Sequence, residues 1–438
     1  MSVTHRSCSI AAETLFGSLD ANGIPSPSGL TYLSLPAERD PVVIPGAAPV
    51  NERPILRDGP FGYQAELDTV WSGSDRLQKR TGDVSIKIDL TTLGSSANTY
   101  DATGLGLLLG AGFKRVTAGR TTGDSVAVTS VNVLVPTDET EWPVGGVVSS
   151  LIGGRAEYSA VTSNDRGGLG TSLGISPAIS SFASPITLQP METFYTPTGT
   201  ASGAVKHSVT FRIDGVNFRS YAFGCKMSSM KISLTGGRAI AEFIYTSAFI
   251  IDDHDDSLYS TGLTLGPIEP VFLNGAAQHF RASYAVLSAS APTTTTDLVG
   301  NVGDELGRVV ANTDTFDLTV TNTLTPVGVS DSVLGMSDME VSDVAVVANL
   351  SLSSPLSTVK NDFRDQVSRQ LMIGTGPTGD GLGCGFLIPS AYLTADPTAY
   401  DVSGDLVMQN LSYAQGRFGG DVGSGVCKNS PFRMGLGI

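Results

Sequence analysis

Asp252-Asp-His-Asp-Asp256 is the densest group of residues whose types could do chemistry. Hard oxygen ligands at such short spacing suit Ca²⁺ or Mg²⁺. The segment lacks the spaced Asp/Asn pattern and the distal Glu of an EF-hand, and neighbours on an extended chain point to opposite sides, which splits the ligands. An acidic, solvated loop is expected. The four histidines, His5, His207, His254 and His279, show neither His-x-x-x-His nor His-Glu-x-x-His spacing, so a zinc hydrolase has no ligand set. Gly170-Thr-Ser-Leu-Gly174 is a formal Gly-x-Ser-x-Gly match with Ser172 as its nucleophile. A nucleophile elbow joins a buried strand to a helix. Here the preceding residues 163–168 read as a loop and Pro177 interrupts the helix that should follow. Gly104-Leu-Gly-Leu-Leu-Leu-Gly110 and Gly168-Leu-Gly-Thr-Ser-Leu-Gly174 are one residue too long for a dinucleotide fingerprint, and no Gly-Lys-Ser/Thr occurs. Glu66 and Asp68 are a carboxylate pair of glycosidase type, but two acids within three positions are commonplace. No catalytic, cofactor-binding or metal-ligating residue is assigned, and the chain is expected not to be an enzyme.

The elements that would have to position such groups read as strands. Of 438 residues, 41% are hydrophobic, ample for a core, while only 16% are charged against about 25% in an ordinary soluble domain. Abundant Gly (51 residues), Thr and Ser with few helix-forming runs favour short strands joined by turns. The length allows two or three ordinary domains or one large elaborated β-domain. Low charge suits burial against neighbouring subunits. The formal net charge of −15, from 42 acidic and 27 basic residues, disfavours holding a nucleic-acid backbone. The densest basic cluster is Arg76, Lys79 and Arg80. Cys8, Cys225, Cys384 and Cys427 form no Cys-x-x-Cys pair and are expected as reduced thiols. The N-terminal residues lack the apolar stretch of a signal peptide, and no membrane span is expected.

Along the chain, residues 1–60 are Pro-rich and read as an extended arm with one strand at residues 30–35. Residues 61–265 read as a strand-rich domain, which the resemblance given below makes a β-sandwich tube domain. In it, Val84-Ser-Ile-Lys-Ile-Asp-Leu90 alternates at every step. Asp101 can cap a short helix carrying Leu105, Leu108 and Leu109. Residues 126–135 read as a strand ending at Pro136. Residues 205–253 read as a β-meander with a hairpin turn at Asp214-Gly215 and a second turn at Thr235-Gly-Gly-Arg238. Residues 266–438 read as a further β-rich region, either a second domain or an elaboration, with strands at 316–320, 344–352 and 405–413. An amphipathic helix is expected over 357–373, where Val359, Phe363, Val367 and Leu371 recur at helical spacing. Residues 374–385 read as a flexible loop.

The order of these elements resembles the tail tube (major tail) proteins of long-tailed bacteriophages. The likeness is carried by Ala12-Glu-Thr-Leu-Phe-Gly17, the strand at 30–35, Arg53-Pro-Ile-Leu56 and the strand at 84–90. It continues through the apolar run 103–113 ending in Gly112-Phe113, the segment 211–218 and the segment 223–237 with its terminal Gly236-Gly237. It spans most of residues 10–255. The resemblance implies a mainly β fold, a sandwich or barrel-forming tube domain with one or two short flanking helices. A duplicated domain or an inserted outer domain would account for the length. It also implies homo-hexameric, or trimeric pseudo-hexameric, rings stacked into a hollow tube in the virion tail. DNA would pass through without specific binding, other tail proteins would be partners, and no membrane would be involved. On that reading strands 84–90 and 240–245 are edge strands that pair across subunits, residues 1–60 and 374–385 bridge rings, and 252–256 is an acidic exposed face. Another phage β-protein, of baseplate or capsid decoration, and a carbohydrate-binding β-sandwich are the alternatives. The second would normally expose aromatic platforms, whereas Trp71 and Trp142 stand alone.

Overall fold

A computed structural model describes residues 7–21, 25–35, 42–45, 81–90, 100, 103–130, 132–152, 155–164, 172–179, 184–196, 208–214, 219–235, 238–253, 264–265, 284–289, 309–311, 313–328, 334–352, 359–375, 383–397, 400–403, 406–416, 427 and 430–438. They are mainly strand, with two short α-helices, in two sheets and a closed barrel.

The first sheet is antiparallel and runs β2 (Thr31–Leu35), β1 (Ser7–Ala12), β12 (Val209–Asp214), β13 (Arg219–Thr235), β15 (Phe249–Asp253). A two-residue strand, β16 (Thr264–Leu265), adds to β2 in parallel. The second sheet takes over the C-terminal half of β13. Its order is β3 (Val42–Pro45), β4 (Gly82–Asp89), β14 (Arg238–Ser247), β13, β19 (Thr313–Gly328), β20 (Met336–Leu352), β24 (Leu406–Gln415), β22 (Cys384–Leu393). Beside it, β23 (Tyr400–Ser403) pairs with β24, while β21 (Arg369–Thr375), β17 (Tyr284–Ala289) and β18 (Val309–Ala311) continue outward from β22. Finally β25 (Arg433–Gly437) links β22 to β11 (Ile186–Tyr195), which β5 (Lys114–Val116) also flanks. The first half of β11 closes a six-stranded barrel with β6 (Asp124–Ser130), β7 (Val133–Val135), β10 (Leu173–Ser176), β9 (Arg155–Asn164) and β8 (Val147–Ile152). Val126, Leu134, Trp142, Val161 and Leu188 belong to one buried cluster there, so a side-chain core fills this barrel.

Alternation in the sequence explains the faces. Val84, Ile86 and Ile88 of β4 are buried in the main core with Ala241, Phe243 and Tyr245 of β14 beside them. Intervening residues such as Ser85 and Lys87 point away. The meander expected over 205–253 is present as β12 to β15. One strand carries its two halves, because β13 passes from one sheet to the other at Gly224, whose φ of 62° only glycine adopts without strain. A Cβ there would stand 2.8 Å from that of Ala248.

Four expectations need correction. The helix placed over 357–373 is only α2 (Val359–Asp365), after α1 (Gly104–Gly110) earlier in the chain, and residues 369–375 are strand β21. The apolar spacing continued across the boundary because Leu371 and Ile373 serve a strand buried between β17 and β22, and Gln366 at φ 51° ends the helix. Residues 126–135 fold back on themselves as the β6–β7 hairpin instead of forming one strand. Strands 84–90 and 240–245 are not two open edges. They pair with each other in register from Ile240–Asp89 to Ser247–Gly82, and β14 is interior, between β4 and β13. The described part of residues 1–60 contains β1, β2 and β3, with β1 lying between β2 and β12.

Helix α1 forms where expected, but its cap is Thr103, whose hydroxyl accepts from the Gly106 N–H at 2.9 Å. Asp101 lies outside the described residues. Leu105, Leu108 and Leu109 are buried in the main core, and the Tyr245 hydroxyl donates to the Leu108 carbonyl at 2.9 Å. Replacing glycine by alanine inside a helix ordinarily stabilises it by about 1 kcal/mol. At Gly106 the sign reverses, because the new Cβ would sit 1.7 Å from the Tyr100 carbonyl oxygen. Gly106→Ala is expected to lose about 2–3 kcal/mol, as overpacked cores do. Urea denaturation checks it, and an unchanged or raised midpoint would contradict the packing.

Candidate interaction faces

His5, His207, His254, His279, Glu66, Asp68, Trp71, Arg76, Lys79 and Arg80 lie outside the described residues, as do 254–256 of the acidic run. Asp252 and Asp253 end β15. Ser172 is fully buried and leads directly into β10, so strand replaces the helix that a nucleophile elbow needs. Trp142 is fully buried in the barrel and offers no exposed aromatic platform. All four cysteines are buried and none is bridged to another. Among the described residues no group of three or more His, Cys, Asp or Glu could hold a metal ion, and no helix is long and apolar enough to cross a membrane.

What the fold does build is a broad outward face on the second sheet. Strand register places Lys87, Glu242, Lys231, Thr319, Val347 and Ala414 in one row across six strands. The next row runs from Asp89 through Ile240, Ser233, Asp317 and Asn349 to Ser412. The opposite side of the same strands carries Ile88, Ala241, Ile232, Leu318, Ala348 and Tyr413, all in the core. Six strands at the usual spacing make the face about 24 Å wide. Two ion pairs lie on it: Lys87 meets Glu242 at 3.2 Å and Lys231 meets Asp317 at 3.5 Å. Thr, Ser, Asn, Ala and Val supply most of the rest. Beyond β4, strand β3 covers only residues 82–85, which leaves Ile86–Asp89 as an edge with no partner strand among the described residues.

A second feature lies behind the first sheet, where the far halves of β19 and β20 cross its outer side. Leu334, Met336 and Met339 pack there on Tyr32, Tyr221, Phe223 and Phe249. Buried Lys226 is anchored to Asp338 at 2.5 Å, and the Asn322 amide donates to the Met227 carbonyl at 3.1 Å. At the margin of this layer sits Glu13, 6% exposed. Its Oε1 accepts from the Gly224 N–H at 2.8 Å and the Thr210 hydroxyl at 2.6 Å, and its Oε2 from the Gly17 N–H at 2.8 Å and the Ser208 hydroxyl. Burial pushes the Glu13 carboxyl above the usual range, and the four donors pull it partly back. It binds the end of β1, the start of β12 and the bend of β13. Sequence reasoning missed this node, because one Glu after an apolar strand carries no pattern.

The chain matches no protein-family model and no curated protein.

Proposed function

We propose that this chain is a virion structural protein that assembles with copies of itself into stacked rings, forming the hollow tail tube through which DNA passes. One observation carries this reading: a wide sheet with its core on one face and a largely uncharged surface on the other ends at Ile86–Asp89, a stretch with no partner strand among the described residues. Monomers guard such edges with Lys, Pro or bulges. Lys87 and Asp89 are the charged residues of the stretch, and Lys87 is drawn to Glu242 on its own sheet. A strand from a second copy would extend the sheet and satisfy the edge. If that contact joins two different surfaces, its repetition closes a ring when the rotation between copies closes, and builds a filament otherwise. The net charge of −15 supports the reading too, since an acidic wall repels the DNA backbone and lets it slide. No catalytic role is assigned.

Negative-stain electron microscopy of the purified chain over rising concentration tests the proposal. Rings or hollow tubes are expected, and their symmetry would separate hexamers from pseudo-hexameric trimers. Particles that stay monomeric at every concentration, and also when mixed with preassembled tails of the same virion, would overturn it.

A further inference from the structure

Arg212 is 7% exposed, and only one edge of its guanidinium is matched. Its Nε donates to Asp214 at 3.0 Å, and the Nε of Arg219 donates to the same Asp214 oxygen at 2.6 Å. The Nη1 and Nη2 groups of Arg212 find no acceptor among the described residues. A charged group so far out of water costs free energy unless its N–H groups are paired. Strand register surrounds it with further donors. Ser34 of β2, Ser9 of β1, Arg212 of β12 and Tyr221 of β13 stand in one row on the outer face of the first sheet. Tyr32 lies two residues from Ser34 and so on the same face. Its hydroxyl is buried and has no hydrogen-bond partner among the described residues. Burial and Tyr221 push the Tyr32 phenol up while Arg212 pulls it back, so hydroxyl and guanidinium lie within reach of each other's field. The hydroxyls of Ser9, itself 4% exposed, and of half-buried Ser34 also bond none of the described residues. The carboxylates of this face are engaged elsewhere. Asp214 holds the two arginines, Glu13 takes its four donors, and Asp253 stands opposite Arg219 in register, two strands from Arg212.

Donors without acceptors call for an anion. A guanidinium whose Nε is taken still offers Nη1 and Nη2 as a fork to two oxygens of one ligand. A planar carboxylate would be satisfied by that fork alone, whereas hydroxyls from two further strands suit the remaining oxygens of a tetrahedral ion. Arg212, Ser9 and Tyr32 are all nearly closed off from solvent, which admits a small ion and not a nucleic-acid backbone. We propose that Arg212, Ser9, Ser34 and Tyr32 form a binding site for an oxyanion of the phosphate class. The site does not depend on the self-assembly reading.

The test compares full-length wild type, Ser9→Ala and Tyr32→Phe by equilibrium dialysis against inorganic phosphate at constant ionic strength, with urea denaturation of each. Wild type is expected to take up phosphate saturably, one ion per chain. Each variant should bind about tenfold more weakly, the worth of one hydrogen bond to a charged group. Because neither hydroxyl bonds anything in the fold, the urea midpoints without phosphate should be unchanged or raised. No saturable uptake by wild type would mean that water alone meets these donors, and would overturn the site. So would undiminished binding by either variant, or a lowered midpoint in either. Acetate that displaces phosphate at equal concentration would overturn the phosphate class in favour of a carboxylate.

Discussion

Glu13→Ala is expected to destabilise the folded chain by about 3–5 kcal/mol, seen as a lower urea midpoint with little change in slope. The side chain is buried and accepts four hydrogen bonds, two of them from backbone N–H groups that cannot turn elsewhere. Each buried donor left without an acceptor costs about 1–3 kcal/mol. The Ser208 and Thr210 hydroxyls can rotate, but Gly17 and Gly224 sit at positive φ within tight packing and hold their N–H groups in place. Glu13→Gln does not restore the site, because each carboxylate oxygen already takes one backbone N–H. Either orientation of the amide therefore sets its NH₂ against a donor. The proton linkage gives an independent check. The folded-state pKa is raised by burial, so this group's contribution is fully present below the unfolded value and is lost as pH rises through the folded one. As pH falls from 7 toward the ordinary glutamate range, wild type should therefore gain stability relative to Glu13→Gln. Parallel pH profiles for the two proteins would show that Glu13 does not titrate in this environment.

The part of the fold legible in the sequence is the part where a strand buries one face. Val84 to Asp89 announces itself because Val, Ile and Ile alternate with Ser and Lys, and the same one-face burial in 240–245 reveals part of the meander. Strands buried on both faces lose that signal. Gln370 to Ile373 of β21 is covered throughout, so its apolar residues joined the helical spacing of Val359 and Phe363 and lengthened the expected helix by two turns. The barrel was hidden for a different reason: β7 and β10 are only three and four residues long, and no Gly or Pro stands between β6 and β7 to mark the reversal. Edges are a property of pairing, which sequence does not carry. The alternation in 240–245 is the same whether one neighbour or two flank the strand, and only the register with β4 and β13 makes it interior. The interaction features were the least legible. The Glu13 node joins residues nearly 200 positions apart.

Alkaline pH is expected to unfold the chain near pH 10, well before its strand content would otherwise fail. Burial pushes the thiols of Cys8, Cys225 and Cys384 and the phenols of Tyr32, Tyr245 and Tyr413 upward, and it raises Tyr195 to about 12. In the unfolded chain the same groups ionise near about 8.5 for Cys and about 10 for Tyr. For a raised folded pKa, the stabilisation is complete below the unfolded value and disappears as pH rises toward the folded one. Each such group then costs about 1.4 kcal/mol per pH unit above its unfolded pKa. Three thiols carried from pH 8 to pH 10 therefore remove on the order of 5 kcal/mol, comparable to the whole stability of an ordinary domain. The phenols add to the slope above pH 10. Near-ultraviolet circular dichroism followed from pH 8 to 11.5 in the presence of a reductant checks this. A cooperative loss of tertiary signal around pH 10, with thiols becoming reactive in the same step, is expected. Thiols that react while the native signal persists would mean that water reaches them in the folded chain, and would contradict the sealed core on which both sheets depend.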